Sequence, residues 1–113
     1  MREDIKINDR VKDFEDQFIS ILQSVYDPEI ELDIYNLGLI YELTLDQNGH
    51  CKVVMTFTDA GCSCADTMPD ELVRRLKEID AVKSVQVEIV WSPAWKMTRI
   101  SRYGRIALRI NPK

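Results

Sequence analysis

The sequence predicts a small α+β domain running α-β-β-α-β-α, with a small mixed or antiparallel sheet and helices packed on one face. Three observations predict it. Apolar residues recur at helical spacing in three segments, they alternate with the two-residue strand period in three others, and a single Asn-Gly turn joins two of those strands. The chain of 113 residues carries no repeat, no linker and no low-complexity stretch, so residues 1–113 are read as one domain.

The first helix is read from about Arg10 to Val25, where Val11, Phe14, Phe18, Ile21, Leu22 and Val25 share one face. Pro28 ends it, because proline disfavours helical geometry in the residue before it. "DPEIELDIYNLGLIYELTL" then reads as a loop feeding a strand, in which Leu39, Tyr41, Leu43 and Leu45 alternate with Ile40, Glu42 and Thr44. The next strand alternates Cys51, Val53, Met55 and Phe57 with Lys52, Val54, Thr56 and Thr58. A two-residue Asn-Gly turn would put the two apolar sets on opposite faces. A three-residue loop with left-handed Gly49 pairs Leu45 with Cys51 and Leu43 with Val53, which keeps one apolar face and points Cys51 into the core.

A second helix begins near Ser63, carries Ala65, Met68, Leu72, Val73, Leu76 and Ile79, and is expected to be irregular at Pro69. Val85, Val87, Ile89 and Trp91 mark the third strand, which "SPAW" breaks. Thr98 is placed as the cap of a last helix with Ile100, Tyr103, Ala107 and Ile110.

Composition narrows the function classes. No run of about 18 apolar residues spans a membrane, and "MREDIKINDR" lacks the apolar core of a secretion signal. Three cysteines do not make a disulfide framework, so the cytoplasm is the expected location. The net charge is −4, but the last 18 residues hold six basic groups and no acidic one, leaving −10 on the first 95. An acidic body with a basic tail argues against general nucleic-acid binding and leaves room for a docking surface. The arginines at 99, 102 and 105 could dock an acidic partner or form a solvated helix face.

The chemistry concentrates at "MTFTDAGCSCADTMPDEL", where a strand turns into a helix and delivers two thiols. A thiol at a helix N-terminus meets unpaired N–H groups and the positive end of the dipole, both of which favour thiolate. Cys62 is therefore a candidate nucleophile or metal ligand, weighed against a small buried apolar residue. Cys64 is a candidate second ligand, weighed against packing; two thiolates alone leave a tetrahedral site incomplete. Asp27, Glu29, Glu31 and Asp33 surround Pro28, either as solvated turn residues or as oxygen ligands and a base facing Cys62. Asp59 is a further candidate, and the hydroxyls of Thr56 and Thr58 could line a pocket. His50 reads as a solvated turn residue. A glycine-rich phosphate loop, a Cys-x-x-Cys pair and a second histidine are all missing from the sequence, which argues against a Ser-His-Asp or papain-like hydrolase.

Four blocks, "VYDPEIELDIYNLGLIYELTLDQNGHCKVVMTFT", Gly61-Cys62 before a helix, "VEIVWSPAW" and "SRYGRIAL", together resemble the SufT-type family of small iron–sulfur cluster assembly proteins. That family is related to the phenylacetate-degradation protein PaaD and to the eukaryotic cytosolic assembly factors of the same domain type. The resemblance covers roughly residues 14–110. It implies an iron–sulfur assembly-type domain and an accessory role in maturing iron–sulfur proteins, as carrier or adaptor rather than enzyme. It implies a pocket of Cys62, Asp27, Glu29 and Thr58, with iron or a labile cluster as the cofactor, and with Asp59 and Cys64 as additional metal candidates. The assembly machinery or client apo-proteins are the implied partners, without nucleic acid or membrane. Because one Cys-x-Cys pair cannot supply four thiolates, a held cluster would need a homodimer or a partner's ligands. The sequence departs from the family's usual pattern at Asp59, Ala60, Cys64 and Ala94; Asp59 opposes thiolate but favours a bound cation. A metal-free interaction module and a thiol enzyme using Cys62, with Cys64 resolving, are the rival readings.

Overall fold

In chain order the elements are β1 (Lys6–Ile7), α1 (Asp9–Asp13), α2 (Glu15–Leu22), β2 (Tyr26–Asp27), β3 (Leu32–Asp33), α3 (Ile34–Leu37), β4 (Ile40–Leu45), β5 (His50–Met55), α4 (Cys64–Leu76), β6 (Ser84–Ile89), a 3₁₀ turn (Met97–Arg99) and α5 (Arg102–Ala107). The computed structural model describes residues 4–27, 32–57, 64–92 and 94–107, with the backbone alone for 64–67.

The predicted α+β class holds. Four strands form a mixed sheet in the order β1-β4-β5-β6, and β2 pairs antiparallel with β3 in a separate small ribbon. The outer pairs β1–β4 and β5–β6 are parallel, and the central pair β4–β5 is antiparallel. The predicted hairpin register is the one found: Leu45 faces Cys51, Leu43 faces Val53, and Gly49 is left-handed at φ 85. Asp46 and His50 close the three-residue loop, with the His50 carbonyl accepting from Asp46 N at 3.0 Å. Cys51, Val53 and Met55 are fully buried against Leu43 and Leu45 from β4, Phe18 and Leu22 from α2, and Leu72 and Leu76 from α4. This single apolar face, covered by helices, is the core.

Five expectations are corrected. The first helix is two helices, because Phe14 leaves helical geometry at φ −119 and ψ 24, and α2 ends at Leu22 instead of Val25. Asn8 caps α1 by accepting from Val11 N at 3.1 Å and exchanges two further bonds with the Leu45 backbone, tying α1 to the edge of β4. The apolar spacing runs through the break since both short helices still bury one side. Second, the segment before β4 is not a plain loop. It contains the β2–β3 ribbon and the one-turn helix α3, capped by the Asp33 side chain at one end and by left-handed Gly38 (φ 76) at the other.

Third, strict alternation in β4 fails at Tyr41, where a bulge steps the register from Ile40↔Met55 to Glu42↔Val54, and Ile40 is buried instead. Fourth, α4 runs as one continuous helix through Pro69. Its start at Cys64 agrees with the predicted start to within one residue. Fifth, Thr98 lies inside the 3₁₀ turn, and it is Ser101 that caps α5, its hydroxyl accepting from Gly104 N at 3.0 Å. The extension of that helix to Ile110 falls outside the described residues.

Candidate functional site

Two strand ends and one helix frame the site. β5 stops at Met55, the chain reaches Phe57, and α4 starts at Cys64. The β5–α4–β6 crossover places the start of α4 after the end of a parallel-paired strand, where a helix N-terminus presents unpaired N–H groups. Cys62 is two positions before the first helical residue, and Cys64 is that residue. Among the candidates, Cys62, Glu29, Thr58 and Asp59 lie outside the described residues, as does Glu31. For Cys64 only the backbone position is described.

Asp27 is described, and it is fully buried. The small ribbon explains how. Tyr26 pairs with Asp33 and Asp27 pairs with Leu32, so the two cross-strand pairs project to opposite faces. Asp27 and Leu32 share one face, Tyr26 and Asp33 the other, and β2 packs against α4. Asp33 is thus on the other face of the ribbon from Asp27, and buried rather than solvated. Its carboxylate turns to α3, where Oδ2 accepts from Asn36 N at 2.9 Å and both oxygens accept from Asn36 Nδ2 at 2.9 and 3.0 Å.

Thr56 is the residue whose position changes its meaning. Sequence alternation puts it on the solvated face with Thr58; instead it is buried, with its amide donating to the Leu39 carbonyl at 2.9 Å. Among the described residues its hydroxyl finds no hydrogen-bond partner. A buried hydroxyl without a partner costs stability. It stands two residues before Thr58 in the same chain segment.

Two aromatic residues border this end of the sheet. Trp91 lies beyond β6, about half exposed, with its ring centroid 6.1 Å from that of buried Phe57. Trp95 has a different role: its indole N–H donates to the Leu37 carbonyl at 2.7 Å, closing the C-terminal end of α3. The two tryptophans of "WSPAW" thus divide into one surface ring and one anchor.

Several residues are removed from the chemistry. Burial pushes the Cys51 thiol up to about 12, so it stays protonated inside the core and supplies no thiolate. His50 opens β5, and its Nδ1 lies 2.7 Å from Ser84 Oγ, pinning β6 to β5. Two of the three arginines in the row make contacts within the fold. Arg99 Nε donates to the Gly38 carbonyl at 2.7 Å, its guanidinium lies 4.4 Å from the Tyr41 ring centroid, and Nη2 is 3.4 Å from Asp4. Arg105 donates to the Thr98 carbonyl. Among the described residues, no group of three His, Cys, Asp or Glu side chains could hold a metal ion. Of the candidates, Asp27 contributes a buried carboxylate and Thr56 a buried hydroxyl, both hard oxygen donors.

The profile of a family described as iron-sulfur cluster assembly protein matches residues 15–89. The chain is similar to the Fe-S protein maturation auxiliary factor YitW of Bacillus subtilis, with 40% identity over 84% of this chain and 93% of that one. It is 42% identical to the Fe-S protein maturation auxiliary factor SufT of Staphylococcus aureus, over 77% of this chain and 99% of that one. Among solved structures, a domain of unknown function from Bacillus anthracis superposes with a TM-score of 0.81 at 37% identity, covering 88% of this chain and 95% of the other. A conserved hypothetical protein from Thermotoga maritima follows at 0.72 and 30%, covering 85% and 94%.

Proposed function

The chain belongs to the iron–sulfur cluster assembly protein family, and from that premise we propose that it is an accessory factor in iron–sulfur protein maturation. It acts as a carrier or adaptor through a pocket centred on Cys62, with assembly machinery or client apo-proteins as partners. The similarity to two maturation auxiliary factors over most of their length carries this reading. The full burial of Asp27 on a ribbon that packs against α4 supports the place of the pocket. Buried carboxylates are held where they meet a cation or strong donors.

In this reading Cys62 supplies the soft ligand, Asp27 and Glu29 supply hard oxygens, and Thr58 donates a hydroxyl to the cargo. Asp59 adds negative charge for iron, and Cys64 is a second thiol. The donor set is mixed and short of four thiolates, so the pocket suits iron or a labile cluster in transit, completed by a second copy or by a client's cysteines.

Anaerobic reconstitution with ferrous iron and sulfide tests this, read by absorbance and electron paramagnetic resonance on wild type, Cys62→Ser and Cys64→Ser. Iron or cluster bound by the wild type and lost in Cys62→Ser is the expected result, and the Cys64 variant then decides between one thiol and two. No metal above background in the wild type overturns the carrier form. Client binding that survives Cys62→Ser would then identify a metal-free adaptor.

A further inference from the structure

The face of the β2–β3 ribbon that turns away from Asp27 carries a cavity of about 330 Å³, lined by Gln23, Tyr26, Asp33, Asn36 and Tyr103. Its inner wall is polar and buried: Asp33 is 3% exposed and Asn36 7%. Its rim is aromatic and open, with Tyr26 and Tyr103 54% and 65% exposed. The fold builds this pairing deliberately. Tyr26 sits directly across the ribbon from Asp33. Tyr103 arrives because α5 presses onto β3 at Gly104, where a Cβ would meet Leu32 Cδ2 and Ile100 Cγ2 at 2.8 Å. Ser101 fixes α5 from below by donating its hydroxyl to Asn36 Oδ1 and its amide to the Asn36 carbonyl at 2.8 Å.

Among the described residues the charge in this cavity has no cationic partner. The three hydrogen bonds that they give the Asp33 carboxylate come from Asn36, which is neutral. Among the described residues no lysine or arginine pairs with it; Arg75 is committed to Ser24 and Glu78, and Arg105 to the Thr98 carbonyl. Capping α3 needs only an acceptor, which serine, threonine or asparagine would supply without a buried charge. A carboxylate has about four acceptor positions, so the two Asn36 donors leave it with acceptor capacity to spare, and Asp33 lines the cavity.

We propose that this cavity receives one arginine side chain of a partner polypeptide, with Asp33 as its anionic contact and the rings of Tyr26 and Tyr103 as its aromatic one. A guanidinium is weakly hydrated and planar, so it can lie against a tyrosine face while giving one charge-assisted bond to Asp33. A lysine ammonium would surrender more hydration for the same single acceptor. The volume is at the lower end of the small-ligand range, which fits one side chain better than a cofactor. This cavity lies on the face of the ribbon opposite Asp27, and its proposed ligand needs no metal.

The test is a nuclear magnetic resonance titration of the full chain, with labelled tyrosine rings and the backbone amide of Asn36 as reporters. The probes are N-acetyl-Gly-Arg-Gly-amide, its lysine analogue and its neutral citrulline analogue. Saturable shifts at Tyr26, Tyr103 and Asn36 are expected for the arginine peptide, with a Kd on the order of 1–10 mM. Binding should weaken about tenfold with citrulline and in Asp33→Asn, which keeps an acceptor for the α3 cap. Tyr103→Ala, at an exposed position, should weaken it several-fold. Shifts that never saturate, equal binding of the citrulline peptide, or full affinity in Tyr103→Ala overturn the proposal. Equal binding of the lysine peptide overturns the assignment to arginine. Should Asp33→Asn fail to fold, the citrulline comparison and Tyr103→Ala decide alone.

Discussion

Thr56 holds a hydroxyl inside the protein that meets no hydrogen-bond partner among the described residues, one residue from fully packed Met55. Replacing it by valine keeps the branched shape and removes the unsatisfied group. Thr56→Val is expected to raise stability by about 1 kcal/mol, read as a higher denaturant midpoint at unchanged slope, while lowering iron loading or client maturation. A loss of stability instead would mean that the hydroxyl has a partner in the folded protein. The same reasoning separates the residues that were legible from those that were not. Cys51 could be placed in the core from register alone. Thr56 could not be, because its alternation partner set belongs to a strand that ends at Met55, one residue before it. Tyr26 and Tyr103 are unremarkable in the sequence; only the ribbon pairing and the Gly104 contact bring them to one cavity.

The elements show where periodicity informs and where it is silent. The β4–β5 hairpin was readable because a left-handed Gly49 and the demand for one buried face leave a single register. Helix α3 has four residues, too few to display a period, so its only signals are the Asp33 cap and Gly38. Those two glycine contacts, at 38 and 104, set the packing of the C-terminal segment and differ in severity. At Gly38 an added methyl would meet the Arg99 carbonyl at 2.6 Å in a left-handed backbone. At Gly104 it would meet the ends of two aliphatic side chains. Gly38→Ala should therefore cost more than Gly104→Ala, roughly 3 kcal/mol against 1–2. Thermal unfolding of the two variants checks the order; the reverse ranking would place the stress in α5 rather than in the Arg99 crossing.

For the molecule as a whole, one buried thiol imposes a pH dependence on the fold. Cys51 in the unfolded chain ionises near 9.0, while burial holds the folded thiol protonated up to about 12. Between those values the unfolded state gives up a proton that the folded state keeps, so stability falls as pH rises, by up to about 1.4 kcal/mol per pH unit. Cys51→Ala removes this slope. The stability gap between wild type and Cys51→Ala should therefore narrow from pH 9 to 11, and a constant gap would contradict the buried assignment. The architecture itself was legible at the level of class, since three apolar helices and three alternating strands suffice for it. The parallel pairing of β1 and the β2–β3 ribbon was not, because two-residue strands carry no pattern. One contact also orders events in time. Ser101 completes the polar cluster at Asn36 from 65 positions further along the chain. On a ribosome adding about 5–20 residues per second, that cluster waits about 3–13 s for its last member. For most of that interval the residues of β4 and β5 have already been synthesised, while the Asp33–Asn36 cluster still lacks Ser101.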